Sequence, residues 1–453
     1  MNKAVYWFTH DLRLQDNPTV SELLRKNDEV AFVFVIDPRW FEQRNHHQKM
    51  MGSHRWRFLC ESLLALDETL RLHGQHLTVL EGDPVEQLKS VLIEHRINTL
   101  GCAKQTGWFE RTQLARLGVD IPRLNVVSQW NSTLFDEAQF SIMGDVFSSF
   151  SRFRKRIETA HFLPLEPCKI WLETLPPPAL ESTHSLHTQL SRYGVLSSYI
   201  SQRGHENGYA QDFHGGEHAA LKHLNAYFSS RAPLSYKQTR NALDDWESST
   251  KFSPFLALGT ASPRQVWQQL RRYEAEFGSN ESTYWIGFEL LWREYFQWLS
   301  IKQGVTLYAF KGNASTAPLT SHYAERLMKW TKGETPFPLV NACMNQLNET
   351  GYLSNRGRQI VASCLVNELS VDWRFGAAYF QQQLIDFDVA SNWGNWQYIA
   401  GVGADPRGGR HFNIGKQTEM YDPDGEYIRR WNGQQGARAL DSVDAADWPI
   451  YDM

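Results

Sequence analysis

Cysteine is scarce in this chain of 453 residues: Cys60, Cys102, Cys168, Cys343 and Cys364 are five in number and widely scattered, with no CxxC pair. That spacing argues against a disulfide framework, a zinc site or an iron–sulfur cluster, so no metal is expected and the thiols read as ordinary buried groups. Long hydrophobic runs are missing as well. None approaches the roughly 18 residues of a membrane span, and the opening MNKAVYWFTHDLRL has no signal-peptide anatomy, so a cytoplasmic protein with no membrane partner is expected. There is no large excess of one charge. The formal net charge is −4, and any attraction to nucleic acid must come from a local patch. The first apolar strand, VYWF, is followed by THDLRLQDNP rather than by GxGxxG, and the only GxG, Gly401 to Gly403, lies in the helical half. A nicotinamide dehydrogenase is therefore disfavoured.

Aromatic residues, in contrast, make up 13% of the chain and include 17 Trp. That exceeds what packing needs, and indole rings serve both as stacking surfaces and as electron carriers. The length implies two or three domains of about 150 residues each. Short β-rich apolar runs at 5–10, 30–37, 76–82, 97–103 and 125–130 alternate with stretches such as SHRWRFLCESLLALDETLRLHG whose apolar residues recur at three and four. The alternation predicts an amino-terminal α/β domain with a doubly wound parallel sheet over residues 1–135. A linker is expected over 136–204, where the tract from about 161 to 200 is rich in Pro, Ser and Thr. From GGEHAALKHLNAYFSS onward nearly every segment has helical periodicity, which predicts an all-α domain over 205–453.

Several polar and aromatic constellations stand out in the helical half. Glu289, Trp292 and Arg293 share one helix face between the apolar flanks Leu290, Leu291, Tyr295 and Phe296; a solvated Glu/Arg pair is common, but these flanks favour burial, where an unpaired charge would be costly. DFDVASNWGNWQY (386–398) crowds Asp386, Asp388 and Asn392 against Trp393, Trp396 and Tyr398. Taken alone it is a core helix with acids capping one end. STKFSP (249–254) is a common capping pattern, with Pro254 suited to a first turn.

Taken in order, STKFSP, ELLWREYF, GYLSNRGRQIVAS, VDWRFGAAYF, DFDVASNWGNWQY and GVGADPRGGRHFNIGKQTEMYDPDGEYIRRW, together with YWFTHDLRLQDNP and DVFSSFSRFRKRIE near the amino terminus, resemble the photolyase/cryptochrome flavoproteins, and most closely their cryptochrome DASH branch. The resemblance spans nearly the whole chain. It implies flavin adenine dinucleotide (FAD) inside the helical domain, with Tyr236, Ser249, Thr250, Lys251, Phe252 and Ser253 at the diphosphate and Arg293 beside the flavin. Asn355, Arg358, Asp386, Asp388 and Asn392 would line the ring, Arg358 and Asp386 forming a buried ion pair. Glu289 and Asn355 would read the edge of a pyrimidine dimer, and Trp292 would stack on it. Trp396 followed by Trp373 would form an electron relay to the flavin.

The chain also departs from the family pattern. The third relay tryptophan would fall where this chain has Thr320, so the relay either leaves through Tyr323 or Trp330 or is shortened. Asn341 stands in an acidic place, suggesting that a pocket charge is missing. Gln359 and Tyr398 replace the Met and second Trp of duplex-repairing photolyases, as in the DASH branch, giving a smaller and more polar pocket. Flipping a dimer out of duplex costs a few kcal/mol, comparable to one lost stacking contact at about 1 to 3 kcal/mol. Single-stranded lesions are the expected substrate. An antenna of 5,10-methenyltetrahydrofolate is implied by the resemblance, with Glu110 as an acidic ligand and Gln105 where a carboxylate is often found.

The reading is thus a deoxyribodipyrimidine photo-lyase, a monomer that repairs cyclobutane pyrimidine dimers chiefly in single-stranded DNA by electron transfer from excited reduced FAD, with RNA as a further nucleic-acid partner. The alternative is a blue-light photoreceptor with little or no repair. A nucleic-acid binder without turnover is weaker, since residues 351 to 430 carry eight Lys/Arg against nine Asp/Glu.

Overall fold

The computed structural model describes residues 2–141, 147–170, 172, 175–181, 185–193, 213–403, 409–436 and 439–440. Residues 194–204 of the expected linker, and Ala404 to Arg407 with Gly408 in the last quoted motif, lie outside these. Five strands, β1 (Lys3–Phe8), β2 (Glu29–Ile36), β3 (Leu77–Glu81), β4 (Thr99–Ala103) and β5 (Asn125–Gln129), form one sheet in the order β3-β2-β1-β4-β5. Every pairing is parallel. Between the strands run α1 (Pro18–Lys26), α2 (Ser53–Leu72), α3 (Pro84–Glu94) and α4 (Trp108–Asp120). The predicted doubly wound sheet is present, and its order reverses between β1 and β4, the place where open α/β sheets leave a crevice beyond their carboxyl ends.

Alternation along β1 explains how the sheet is buried on both faces. Val5 and Trp7 face α3, while Tyr6 and Phe8 face a core continuous with that of the helical half. Local capping sets where helices begin: Asn17 and Asp83 accept the early amides of α1 and α3, each with Pro in the first turn. The Pro-rich tract is less loose than its composition suggests. Val30 N–H donates to Pro177 O at 3.1 Å and Ala179 N–H to Val30 O at 3.2 Å, so the chain there lies along β2.

Helices of eight or more residues follow: α5 (Phe150–Thr159), α6 (Glu217–Phe228), α7 (Pro263–Phe277), α8 (Glu281–Gln303), α9 (Ala324–Lys332), α10 (Pro338–Thr350), α11 (Asn355–Ser363), α12 (Trp373–Gln383), α13 (Val389–Ala400) and α14 (Ile414–Tyr421). Capping boxes at Ser262/Gln265 and Asn280/Thr283 start α7 and α8. Among the described residues, no helix is long and apolar enough to cross a membrane. All five cysteines are free; four are buried and Cys168 is half-buried.

A seam of buried charge joins the sheet to the helices. The Arg13 guanidinium has no exposure and donates to Gly259 O (2.9 Å), Asp16 O (2.7 Å) and Asn131 O (2.5 Å). Glu217 of α6 accepts from Leu14 N–H and Gln15 N–H, both at 2.9 Å. Glu294 of α8 accepts from Leu134 N–H (2.8 Å) and Phe135 N–H (3.2 Å). Arg264 of α7 lies 3.4 Å from Asp16 and donates to Trp130 O at 2.5 Å. Gly259 has φ of 63°, and a Cβ there would run into the His10 carbonyl. Arg13→Leu should cost on the order of 3 to 5 kcal/mol, because it leaves a buried acceptor set unmatched. The urea unfolding midpoint is the measurement, with exposed Arg25→Leu as the control that should barely move it.

Candidate functional site

The cavity that gathers most of the predicted residues has a volume of about 590 Å³ and lies in the helical half. That is within the range of about 300 to 1,000 Å³ common for cofactor sites. One end is made by Tyr236 and the run Ser249 to Ser253. Pro254 occupies the first turn of the short helix Ser253–Ala257, as expected, and Lys251 adopts φ of 53°, which turns the backbone sharply just before that helix. His223 of α6 donates from Nε2 to Thr250 O at 2.8 Å, pinning the turn. Burial lowers its pKa, and the hydrogen bond to Thr250 opposes that shift.

The opposite wall is α8, α11 and α13. Arg358 on α11 pairs with Asp386 at 2.7 Å, the expected ion pair, in which Asp386 is buried and Arg358 half-buried. Burial alone would depress the guanidinium, but the charge and hydrogen bond of Asp386 reverse that and raise it. Asp386 Oδ1 is buried and has no hydrogen-bond partner among the described residues, an acceptor left for a donor on a bound group. Asp388 is the N-cap of α13, accepting from Ser391 N–H at 2.7 Å, and its two oxygens also accept from Gln297 Nε2 at 2.9 and 2.8 Å. Arg293 lies 3.7 Å from Asp388 and donates to Ser132 O at 2.6 Å. Asn392 donates to Ala377 O at 3.0 Å, which locks it against α12.

Glu289, Trp292, Asn355, Gln359 and Tyr398 line the same cavity. Glu289 is paired with Arg240, whose guanidinium also stacks 4.4 Å from the Trp285 ring. Burial pushes the Glu289 carboxyl up, and Arg240 opposes that push. Trp292 is backed by Phe150 of α5, stacked at 3.7 Å and 14°. Tyr398 meets Trp292 edge-on at 6.1 Å and accepts a hydrogen bond from Arg410.

Trp396 also lines the cavity, whereas Trp373 lies outside its wall, fully buried. Trp396 has ring contacts with Phe380 (5.1 Å) and Trp330 (6.2 Å), and Trp373 has one with Trp393 (5.8 Å). Of the two substitute exits left open by Thr320, Trp330 touches Trp396, and Tyr323 lies half-buried beneath the Arg326 guanidinium. Asn341 is not a pocket residue. It is fully buried at the start of α10, donating to Thr335 O (2.8 Å) and Gly433 O (3.2 Å) and accepting from Thr335 N–H (2.8 Å) and its hydroxyl (2.7 Å). A carboxylate could not make both donations, so the amide ties a loop rather than marking a missing pocket charge.

Glu110 is separate, in the first turn of α4, the helix that follows β4 at the reversal point of the sheet. Its Oε2 is buried without a partner. Gln105, beside it, donates to Thr9 Oγ1 at 2.6 Å. Gln297 links the two places, since its Oε1 accepts from Thr106 Oγ1 at 2.8 Å while its amide holds Asp388. Gln297 follows Glu289 and Arg293 at intervals of four on α8, a stripe legible in the sequence; Arg240, the residue that ends the short helix Tyr236–Thr239, offered no such period.

Residues 4–177 match the family described as DNA photolyase, and residues 285–437 match the FAD binding domain of DNA photolyase. The chain is 48% identical to cryptochrome DASH of Idiomarina loihiensis, covering 99% of this chain and 96% of that one. It is 44% identical to cryptochrome DASH of Vibrio parahaemolyticus, covering 99% and 97%. It is also similar to the crystal structure of a Synechocystis cryptochrome, with a TM-score of 0.86, 35% identity and coverage of 95% and 88%. A class III photolyase from Agrobacterium tumefaciens gives a TM-score of 0.78 at 26% identity, with coverage of 95% and 86%.

Two outcomes follow from this geometry. Asp386→Asn should weaken flavin retention, because it removes the charge opposite Arg358 at the cavity wall; the flavin-to-protein absorbance ratio reads it. Trp396→Phe should abolish or strongly slow flavin photoreduction with flavin still bound, and Trp330→Phe should slow it more than Tyr323→Phe does. Bleaching of the flavin bands under blue light is the measurement, and equal rates in the last two variants would remove Trp330 from the relay.

Proposed function

The chain belongs to the photolyase/cryptochrome family, on its cryptochrome DASH branch, and from that membership we propose that it is a blue-light-driven lyase for cyclobutane pyrimidine dimers, acting chiefly in single-stranded DNA. The observation that carries the proposal is the convergence of Glu289, Trp292, Asn355, Gln359 and Tyr398 on the cavity that also holds Arg358, Asp386, Asp388 and Asn392. A lesion and a flavin would share one enclosure. Bound FAD supplies the light absorption and the electron that opens the cyclobutane ring and is then returned.

The protein's part is placement and polarity. Tyr236 and Ser249 to Ser253 present hydroxyls and helix-opening amides suited to a diphosphate. Asp386, held at one oxygen by Arg358, keeps the other for a donor on the ring edge. Glu289, aligned by Arg240 and raised by burial, is placed to hydrogen-bond the edge of a dimer, and Trp292, backed by Phe150, offers a fixed stacking face. Gln359 and Tyr398 give that pocket less apolar grip than Met and Trp would, so it offsets little of the cost of flipping a base from duplex.

The crevice at the reversal point of the sheet fits an antenna with hydrogen-bond donors, since Glu110 Oε2 there is buried and unmatched. We assign it to 5,10-methenyltetrahydrofolate. Glu110→Gln should lower the near-ultraviolet band of the purified protein while leaving the flavin bands in place; a spectrum unchanged in both regions would remove Glu110 from the antenna site.

The function itself is tested by dimer loss under blue light with chemically reduced enzyme, which bypasses the electron relay. The expected result is repair in single-stranded oligonucleotide or a bubble, with much weaker repair in matched duplex. Glu289→Ala should lose repair and keep flavin, because an unpaired buried polar edge costs about 1 to 3 kcal/mol. Equal repair of both substrates would refute the pocket argument. Repair of neither would move the reading to a photoreceptor.

A further inference from the structure

The amino-terminal half of α8 carries an aromatic ridge that runs outward from the cavity wall. Tyr284 is 43% exposed, and Trp285 and Phe288 are half-buried. Trp285 and Phe288 lie 4.3 Å apart, and Tyr284 is 6.1 Å from Phe288. Cations flank the ridge on both sides. The Arg154 guanidinium of α5 lies 5.5 Å from the Phe288 ring, and Lys237 and Arg240 lie 5.9 and 4.4 Å from the Trp285 ring. α5 itself buries Phe150, Phe153 and Ile157 and turns Arg152, Lys155 and Arg156 to solvent. Its first residue, Phe150, is the ring stacked on Trp292, and Phe288 and Trp285 also line the cavity, so ridge and pocket are one continuous surface. Some of these cations have acidic neighbours: Arg154 lies 3.6 Å from Glu158, Lys237 pairs with Glu281, and Arg240 pairs with Glu289. Arg152, Lys155 and Arg156 add positive charge beyond those pairs.

One exposed and two half-buried rings with cations beside them suit unpaired bases joined by phosphates, because every base has a face to stack and every link a charge to neutralise. Paired bases hide those faces. We propose that the ridge Tyr284–Trp285–Phe288, flanked by Arg154 on one side and Lys237 and Arg240 on the other, is a stacking track for the unpaired bases next to the nucleotide held in the cavity. The inference rests on the single-strand reading above and gives it a second physical source: the track rewards single strands, while the polar pocket merely fails to reward duplex.

The experiment is equilibrium binding, in the dark and with flavin-loaded protein, of fluorescently labelled lesion-free oligothymidylate and of a matched hairpin duplex. Trp285→Ala should weaken binding to the single strand about ten-fold and barely change binding to the duplex, while Trp285→Phe keeps most of the affinity. Tyr284→Ala, which lies outside the cavity wall, should weaken the single strand alone by about three-fold, and it keeps the test decisive if Trp285→Ala loses its flavin. The triple variant R152Q/K155Q/R156Q should make the plot of log affinity against log salt shallower by about one to two units. Single-strand affinity unchanged in both Trp285→Ala and Tyr284→Ala, or single-strand and duplex affinities falling together, would overturn the track. A wild-type protein that binds the two nucleic acids equally would bring down the single-strand reading itself, so the two failures are distinct.

Discussion

A guanidinium with no access to water must look for its partners inside the protein, and the two terminal nitrogens of Arg13 find them in three places at once: the turn before α7 at Gly259, the backbone of Asp16, and Asn131 after β5. An unmatched charge of this kind is among the most expensive features a fold can contain. The sheet and the helices are consequently locked in one arrangement. Glu217, Arg264 and Glu294 extend the seam, each reaching backbone groups from the far side. Burial raises both glutamates and lowers Arg264, shifts that oppose the charged forms and are countered by the hydrogen bonds and opposite charges each has around it.

The cavity inherits its rigidity from that seam through a single helix. α8 anchors at Glu294 to Leu134 and Phe135, and on the same helix Glu289, Trp292 and Arg293 enter the cavity one turn away. Three residues beyond Glu294, Gln297 clamps Asp388 and Thr106 together. The loop after β4 and the wall of the cavity are therefore tied together by one side chain and one helix. A displacement at either end would have to be accommodated by buried polar groups with no spare partners.

Much of this was legible because the residues that carry it repeat at helical spacing. Glu289, Trp292 and Arg293 fall on one face, the doubly wound sheet follows from alternating runs, and Arg358 with Asp386 form the ion pair their motifs imply. The capping account of DFDV and the cavity account turned out to be compatible, since Asp388 caps α13 with one oxygen while both oxygens meet Gln297. What stayed hidden depends on pairings across long separations. Asn341 has no pocket role because its four partners lie in the loop before α10 and at Gly433, which no local pattern reveals. The linker's attachment to β2 depends on backbone carbonyls in a Pro-rich tract, where composition speaks only of stiffness. Counting charge along residues 351 to 430 found no basic face because the cations next to the cavity come from α5 and from the Tyr236–Thr239 turn, far apart in the chain.

The placement of aromatic rings separates two kinds of work. Trp292, Tyr398 and Trp396 border the cavity, but their neighbours differ: Trp292 is fixed by Phe150 and meets Tyr398, whereas Trp396 passes back into the protein toward Phe380 and Trp330. Rings that must hold a ligand are braced from behind by other rings. A ring that must pass charge needs a neighbour that can be oxidised, and of the two behind Trp396 only the indole of Trp330 is readily so. Trp330 is fully buried and donates from Nε1 to Val361 O at 2.9 Å. Charge arriving there would still have to cross buried protein to reach solvent, and Tyr379, whose ring is 5.7 Å away, is the adjacent oxidisable side chain. Burial raises the Tyr379 pKa, and its hydroxyl lies 2.5 Å from Asn348 Oδ1, an amide oxygen too weak a base to take a proton. With Thr320 where the resemblance puts a third relay tryptophan, an electron relay would need another exit. Trp396 is in ring contact with Trp330, whereas Trp373, the second relay residue the resemblance implied, is in ring contact with Trp393; a relay leaving through Trp330 would next meet a phenol that gives up its proton reluctantly.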